Sequence, residues 1–234
     1  MRLCFFALLL TGCVTHAFAP PLRAVPLESP AVLGIRETAI AAGGSWGVGS
    51  QDLGQESVTV RARRGLVRRL EGSLEANAFH YESVRTAAAT LRVGAKYCAL
   101  LDPERCALAL TAGSGGGAYD HGGLFGGDVG AIFGWENRYL VPFIGGRIGF
   151  ALPISPRAVY DGNTCDLQPA PCGAVFNTPK ADLILSMSAG LRQPLPFLRA
   201  PRISLLVAYG ATWMFDGDVD QTIHALGWGA EVAF

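Results

Sequence analysis

From residue 37 onward the chain falls into short stretches in which apolar residues alternate with polar or small ones, separated by turn formers. In Thr86 to Tyr97, one face carries Ala87, Ala89, Leu91, Val93, Ala95 and Tyr97. The other carries Thr86, Ala88, Thr90, Arg92, Gly94 and Lys96. Ala181 to Arg192 repeats the pattern, with Leu183, Leu185, Met187, Ala189 and Leu191 opposite Asp182, Ile184, Ser186, Ser188, Gly190 and Arg192. Each has the roughly 9–11 residues of a tilted membrane-spanning strand. Ten segments follow: 37–49, 56–65, 70–81, 84–98, 106–118, 123–135, 139–153, 180–193, 202–215 and 222–234. The first two are the least contrasted. Arg61, Arg63, Arg64, Arg68 and Arg69 crowd the second connection, and a helix over 58–75 is the competing reading, leaving eight strands.

These segments predict an all-β fold, an antiparallel up-and-down transmembrane β-barrel of ten strands, with eight as second choice. An even number puts both barrel termini at one end, the periplasmic one, and makes the odd-numbered connections external and longer. The seventh, near 154–179, is long, while the sixth, Glu136-Asn137-Arg138, and the fourth, Leu101 to Arg105, are short. The eighth, through Pro194, Pro196 and Pro201, is longer than this scheme expects.

Composition narrows the setting. Only 16% of residues are charged and 50% are hydrophobic, below and at the average of soluble domains respectively. The formal charge is zero, with no basic run to meet nucleic acid. A spanning helix needs roughly 20 apolar residues. The best candidate after the N-terminus, Ile203 to Phe215, has 13 and contains Gly210. A chain of this kind spans a membrane only as a closed barrel, because lipid leaves no backbone group unpaired. Glycine runs such as Gly113 to Gly117 weaken ordinary strands, but in a narrow barrel they permit coiling and make room inside.

Residues 1–12 hold one positive charge and the apolar run Leu3 to Leu10, the form of a signal peptide. Leu10-Thr11-Gly12-Cys13 resembles a bacterial lipobox, which implies lipidation of Cys13. The competing site is the A-x-A pattern of Ala17 and Ala19, which Pro20 disfavours. Residues 13–36, with Pro20, Pro21, Pro26 and Pro30 and no periodicity, read as a tether. The barrel domain is then 37–234. Cys4 leaves with the signal. Among the remaining Cys98, Cys106, Cys165 and Cys172, local bridges 98–106 and 165–172 are the simplest of three pairings, suited to an oxidising compartment. Four free thiols are the alternative. No His lies near either pair and the spacings are not those of zinc, so no metal or cofactor is expected.

Leu226, Trp228, Ala230, Val232 and Phe234 share one face, opposite Gly227, Gly229 and Glu231. This ending resembles the C-terminal β-signal of small outer-membrane barrels of Gram-negative bacteria. The resemblance implies insertion by the barrel assembly machinery, outer-membrane lipid as surroundings, and a monomer with both termini periplasmic.

With one face toward lipid, the inward candidates are Arg61, Arg63, Glu75, Arg92, Lys96, Asp128, Arg147, Asp182, Arg192 and Glu231. Paired charges fit a salt-bridged, plugged lumen and a structural or surface-interaction role. A narrow pore is the second reading. A third, a lipid-anchored soluble ligand-binding barrel, inverts the two faces, and alternation does not say which face is inside. Enzyme readings are weaker. Asp218, Asp220 and His224, with Asp120 and His121, resemble in type the water-activating groups of omptin proteases, but the spacings depart from that family. Phe79-His80-Tyr81-Glu82-Ser83 resembles the Ser–His arrangement of lipid A deacylases, again with the wrong spacing. Gly113 to Gly117 lacks the Lys and helix of a phosphate loop. The expectation is a non-enzymatic barrel.

Overall fold

A computed structural model describes residues 19–23, 25–50, 54–82, 86–100, 106–163, 174–195, 202–215 and 220–234. Ten long strands form a closed barrel: β1 (Thr38–Gly49), β2 (Gly54–Val67), β3 (Leu70–Tyr81), β4 (Thr86–Leu100), β5 (Leu108–Tyr119), β6 (Gly122–Gly134), β7 (Val141–Ile154), β10 (Asp182–Pro194), β11 (Arg202–Phe215) and β12 (Asp220–Ala233). Each long strand pairs antiparallel with its neighbours in the chain. The ring closes between β1 and β12, where Thr38 and Phe234 exchange backbone hydrogen bonds of 3.0 and 2.9 Å. Within the connection from β7 to β10, β8 (Val159–Asn163) and β9 (Ala174–Asn177) form a separate antiparallel pair. The segment 58–75 is not helical: β2 and β3 pair from Gln55↔Tyr81 to Gly65↔Glu71, then past a register shift at Leu66 to Val67↔Leu70 and a two-residue turn at Arg68-Arg69, where Arg69 takes a positive φ of 75°.

Which face is inside is decided along β4. Leu91 and Val93 are 54% and 62% exposed, while Arg92 between them is 3% exposed. The same holds around the ring: Val58, Val60, Ile144, Ile148, Leu205 and Leu226 face out, and Glu75, Lys96, Arg147 and Glu231 face in. This is the reverse of a soluble ligand-binding barrel. It suits lipid outside, because each backbone group of the wall is paired along a ladder without edges. Polar outward residues bound the apolar face. On β2 these are Glu56 and Arg64. Eight residues at about 3.3 Å each, tilted about 40°, set them roughly 20 Å apart, near the height of an outer-membrane apolar band.

The connections define two ends. The terminal rim holds the start of β1, the end of β12 and the even-numbered connections. The loop rim holds the odd-numbered ones. Apart from the seventh connection, 155–181, those at the loop rim are short, and Asp120-His121 is only two residues. The length asymmetry expected between the ends therefore comes from one connection alone. Cys98 and Cys106 are disulfide-bonded across the fourth connection at the terminal rim. Cys4, Cys13, Cys165 and Cys172 lie outside the described residues.

Candidate functional site: a threaded, salt-bridged lumen

The lumen is filled by the chain itself. Residues 19–23 and 25–36, whose prolines read as those of a tether, run through the barrel from one rim to the other. At the loop rim the Ala19 amide donates to Asp182 Oδ2 at 3.1 Å. One turn of the wall lower, the Leu22 carbonyl accepts from Asn77 Nδ2 at 3.0 Å and from Thr90 Oγ1 at 2.9 Å. Arg23 then clasps Glu75, donating from Nε at 2.6 Å and from Nη2 at 2.5 Å. Arg61 donates to Glu28 and, at 2.7 Å, to the Leu27 carbonyl. Lys96 Nζ donates to the Ser29 carbonyl at 3.2 Å, and Arg192 Nη1 to Ser29 Oγ at 2.9 Å. The Leu33 amide donates to Glu71 Oε2 at 2.9 Å, and the Arg36 amide to the Gly65 carbonyl at 3.0 Å at the terminal rim.

An extended segment inside a barrel cannot pair its own backbone, so each buried N–H and C=O needs a partner from the wall. Proline reduces that demand. Pro20, Pro21, Pro26 and Pro30 bring no N–H into the lumen, and they favour the extended form that threads. The apolar side chains of the segment fit where the wall has none. A β-carbon on Gly126 would stand 3.3 Å from Leu22 Cδ1, and one on Gly43 only 2.9 Å from Leu27 Cδ1. Wall glycines therefore make the space that the plug occupies.

The filling is layered. Beneath the loop rim, Ala19 and Leu22 pack with Phe79, Tyr81, Tyr119, Leu124, Ile184, Met214 and Ile223 in an apolar seal. Below it lies the charged belt. Glu28 is shared among Arg61, Arg23 and Arg147, the latter two each at 3.3 Å. Arg92 donates to both oxygens of Asp128 at 2.7 Å, its guanidinium lying over Gly113, where any side chain would collide with it. Nearer the terminal rim, Arg63 bridges Glu71 at 2.8 Å and Glu231 at 2.5 Å, and Lys96 reaches Glu71 at 3.1 Å. Arg192 meets Glu136 of the sixth connection at 3.3 Å. Burial pushes the Glu136 carboxyl above its ordinary range, outweighing the pull of Arg192. Two cavities of about 30 Å³ remain beside the plug, each with room for about one water, lined by Arg23 with Glu75 and by Arg147 with Asp128. A vestibule of about 830 Å³ opens under the terminal rim, walled by Arg63, Glu136, Arg192 and Glu231.

The structure places all ten of the charges expected inward on the lumen side of the wall. Sequence reasoning missed Glu71, Arg23, Glu28 and Glu136. Glu71 shares the facing of Glu75, four residues on in the same strand, so alternation alone points to it. Arg23 and Glu28 sit in the proline-rich stretch 13–36, whose sequence has the form of a tether. One signal contradicted that reading: Leu22, Val25, Leu27, Val32 and Leu33 are too apolar for a solvated linker.

The weighed hydrolytic groups do not come together among the described residues. His80 points outward from the wall. His224 also faces outward and is hydrogen-bonded to Tyr209 at 2.6 Å. Asp120 caps the start of β4, accepting from the Ala87 amide at 2.7 Å, and His121 meets Thr86 Oγ1 at 3.2 Å. These are turn contacts. Ser83 and Asp218 lie outside the described residues.

Similar barrels are known. Neisserial surface protein A is 13% identical over 85% of this chain and 96% of its own, with a TM-score of 0.42. The β domain of the Bordetella autotransporter BrkA is 11% identical over 84% and 99%, with a TM-score of 0.45. Ail, the attachment invasion locus protein of Yersinia pestis, is 12% identical over 86% and 100%, with a TM-score of 0.34. All three resemble this chain remotely, and the description of its barrel rests on its own hydrogen-bond ladders. No protein-family model and no curated protein matches the sequence.

Proposed function

We propose that the protein is an integral barrel of the bacterial outer membrane whose lumen is closed by its own amino-terminal segment, serving as a structural or surface-interaction module. The observation that carries this is the coincidence of an apolar outer wall with a plug ion-paired to both halves of the ring. An open channel of this diameter would leave Arg61, Glu75 and Arg147 facing water. Here they hold Arg23 and Glu28 instead. In this reading residues 1–12 are the export signal, Cys13 carries lipid, Cys165 pairs with Cys172, and the terminal rim faces the periplasm. The final strand engages the assembly machinery, and the barrel is monomeric.

The test is extraction and conductance. The protein is expected to stay with membranes after carbonate washing, with or without Cys13→Ser, and to leave only in detergent. Its band on a gel shifts on heating, as that of a compact barrel does. Purified into planar bilayers, the intact chain gives no discrete openings. Release of the C13S variant into the soluble fraction, or steady conductance of the intact chain, refutes the reading. Labelled palmitate, incorporated by the parent and not by C13S, reports the lipid separately.

A further inference from the structure

The plug has a direction, and the direction has an outcome for the amino end of the chain. Its attachments descend in steps: Ala19 on Asp182, then Leu22 on Asn77 and Thr90, then Arg23 on Glu75 and Glu28 on the facing Arg61, then Ser29 on Lys96 and Leu33 on the facing Glu71, and last Arg36 on Gly65. Asp182 begins β10 at the loop rim, and Gly65 lies near the end of β2 at the terminal rim. Residue 19 therefore stands at the rim opposite the one where the barrel begins and ends.

We infer that the amino end of the plug opens on the loop rim, so that Ala19 and the 155–181 connection share one side of the membrane, opposite the side where the barrel begins and ends. Distance supports a single side. Cys13 precedes Ala19 by six residues, a reach of at most about 21 Å even when fully extended. The wall is 12–15 residues tall along its strands. At about 3.3 Å per residue and a tilt near 40°, the rims are about 30–38 Å apart. The lumen between them is occupied, so there is no return path through it. Six residues are too few to bring Cys13 back to the terminal rim. This rests on the proposed membrane setting and deepens it: with the terminal rim periplasmic, the amino end is displayed on the outer surface.

An epitope inserted between Phe18 and Ala19 tests this, with reference epitopes in the 155–181 connection and in the Arg68-Arg69 turn. Antibody labelling of intact cells is compared with labelling after permeabilisation. The amino-terminal epitope is expected to label together with the 155–181 epitope. Labelling together with the 68–69 epitope overturns the inference. Should both rims prove inverted, with the 68–69 epitope outside, the orientation in the functional reading fails. The inference still stands if the amino-terminal epitope then follows the 155–181 epitope. Loss of the inserted epitope from the mature chain, seen on a denatured blot, means cleavage beyond it and also overturns the inference. If the insertion prevents the heat-dependent band shift of a folded barrel, the epitope is moved between Thr15 and His16, and the same two outcomes decide.

Discussion

Glu28 is a single carboxylate serving three guanidiniums, all nearly sealed from water: the Arg23, Arg61 and Arg147 side chains are 8%, 4% and 7% exposed. Removing one partner of a buried pair leaves an uncompensated charge, which costs about 3–5 kcal/mol. Glu28→Ala is therefore expected to lower the urea midpoint for loss of the compact band clearly, and Glu28→Gln less so. An unchanged midpoint in E28A would mean that the plug does not sit in the lumen. Glu136 behaves in the opposite sense. Its folded carboxyl holds a proton more tightly than an unfolded one, so ionising it opposes folding. That penalty is absent below the unfolded value, around pH 4, and is complete once pH has risen past the folded one. E136Q is thus expected to be more stable than the parent at neutral pH, with the two converging near pH 4. At the terminal rim, the Cys98–Cys106 bond closes a loop of eight residues. Chain entropy alone gives roughly 2–3 kcal/mol for such a loop. C98S/C106S is expected to unfold earlier by that amount, and reduction of the parent should reproduce the loss.

At the scale of the element, period-two alternation carried nearly everything. The ten stretches match the ten long strands to within a few residues, and even the weakly contrasted β1 and the arginine-rich β2 are strands. Alternation survives there because outward positions such as Trp46, Val58 and Val60 are apolar, while inward Arg61 and Arg63 pair with acidic partners. Residues 19–36 were not legible as a plug, because an extended, proline-rich segment has the same local grammar in solvent and in a lumen. What differs is its tertiary demand for partners, which sits in Asn77, Thr90, Lys96 and Glu71, far along the chain. The element-scale prediction follows. Deleting residues 20–33 should leave an assembled but less stable barrel, with Arg61 and Glu75 facing water, and planar bilayers should now show discrete openings. A silent deletion variant that still gives the folded band would show that the wall closes without the segment.

At the scale of the whole molecule, the barrel is built around two opposed solvents. The outer wall presents Leu, Val and Ile, which suit lipid, and a pre-paired set of charges fills the inside. Buried ion pairs add little net stability by themselves, but they fix which charge meets which. The layered order of seal, belt and lower cluster leaves one register in which every one of these pairs forms. Sliding the plug by a single residue would move Arg23 off Glu75 and Glu28 off Arg61 at the same time. Exchanging Arg23 and Glu75, as R23E/E75R, is expected to restore part of the urea midpoint lost in either single variant. Strictly additive losses would argue against a direct pair.

The threaded segment also sets an order of events. With Cys13 acylated as proposed, a finished ring cannot be slipped over a chain that ends in lipid on one side and leads into β1 on the other. The segment from Ala19 to Arg36 must already lie across the wall when β1 and β12 meet, and their union is the knot that makes the arrangement permanent. Mature protein is thus a loop drawn tight on its own tail, and its last hydrogen bonds, between Thr38 and Phe234, are the ones that decide whether the tail is inside.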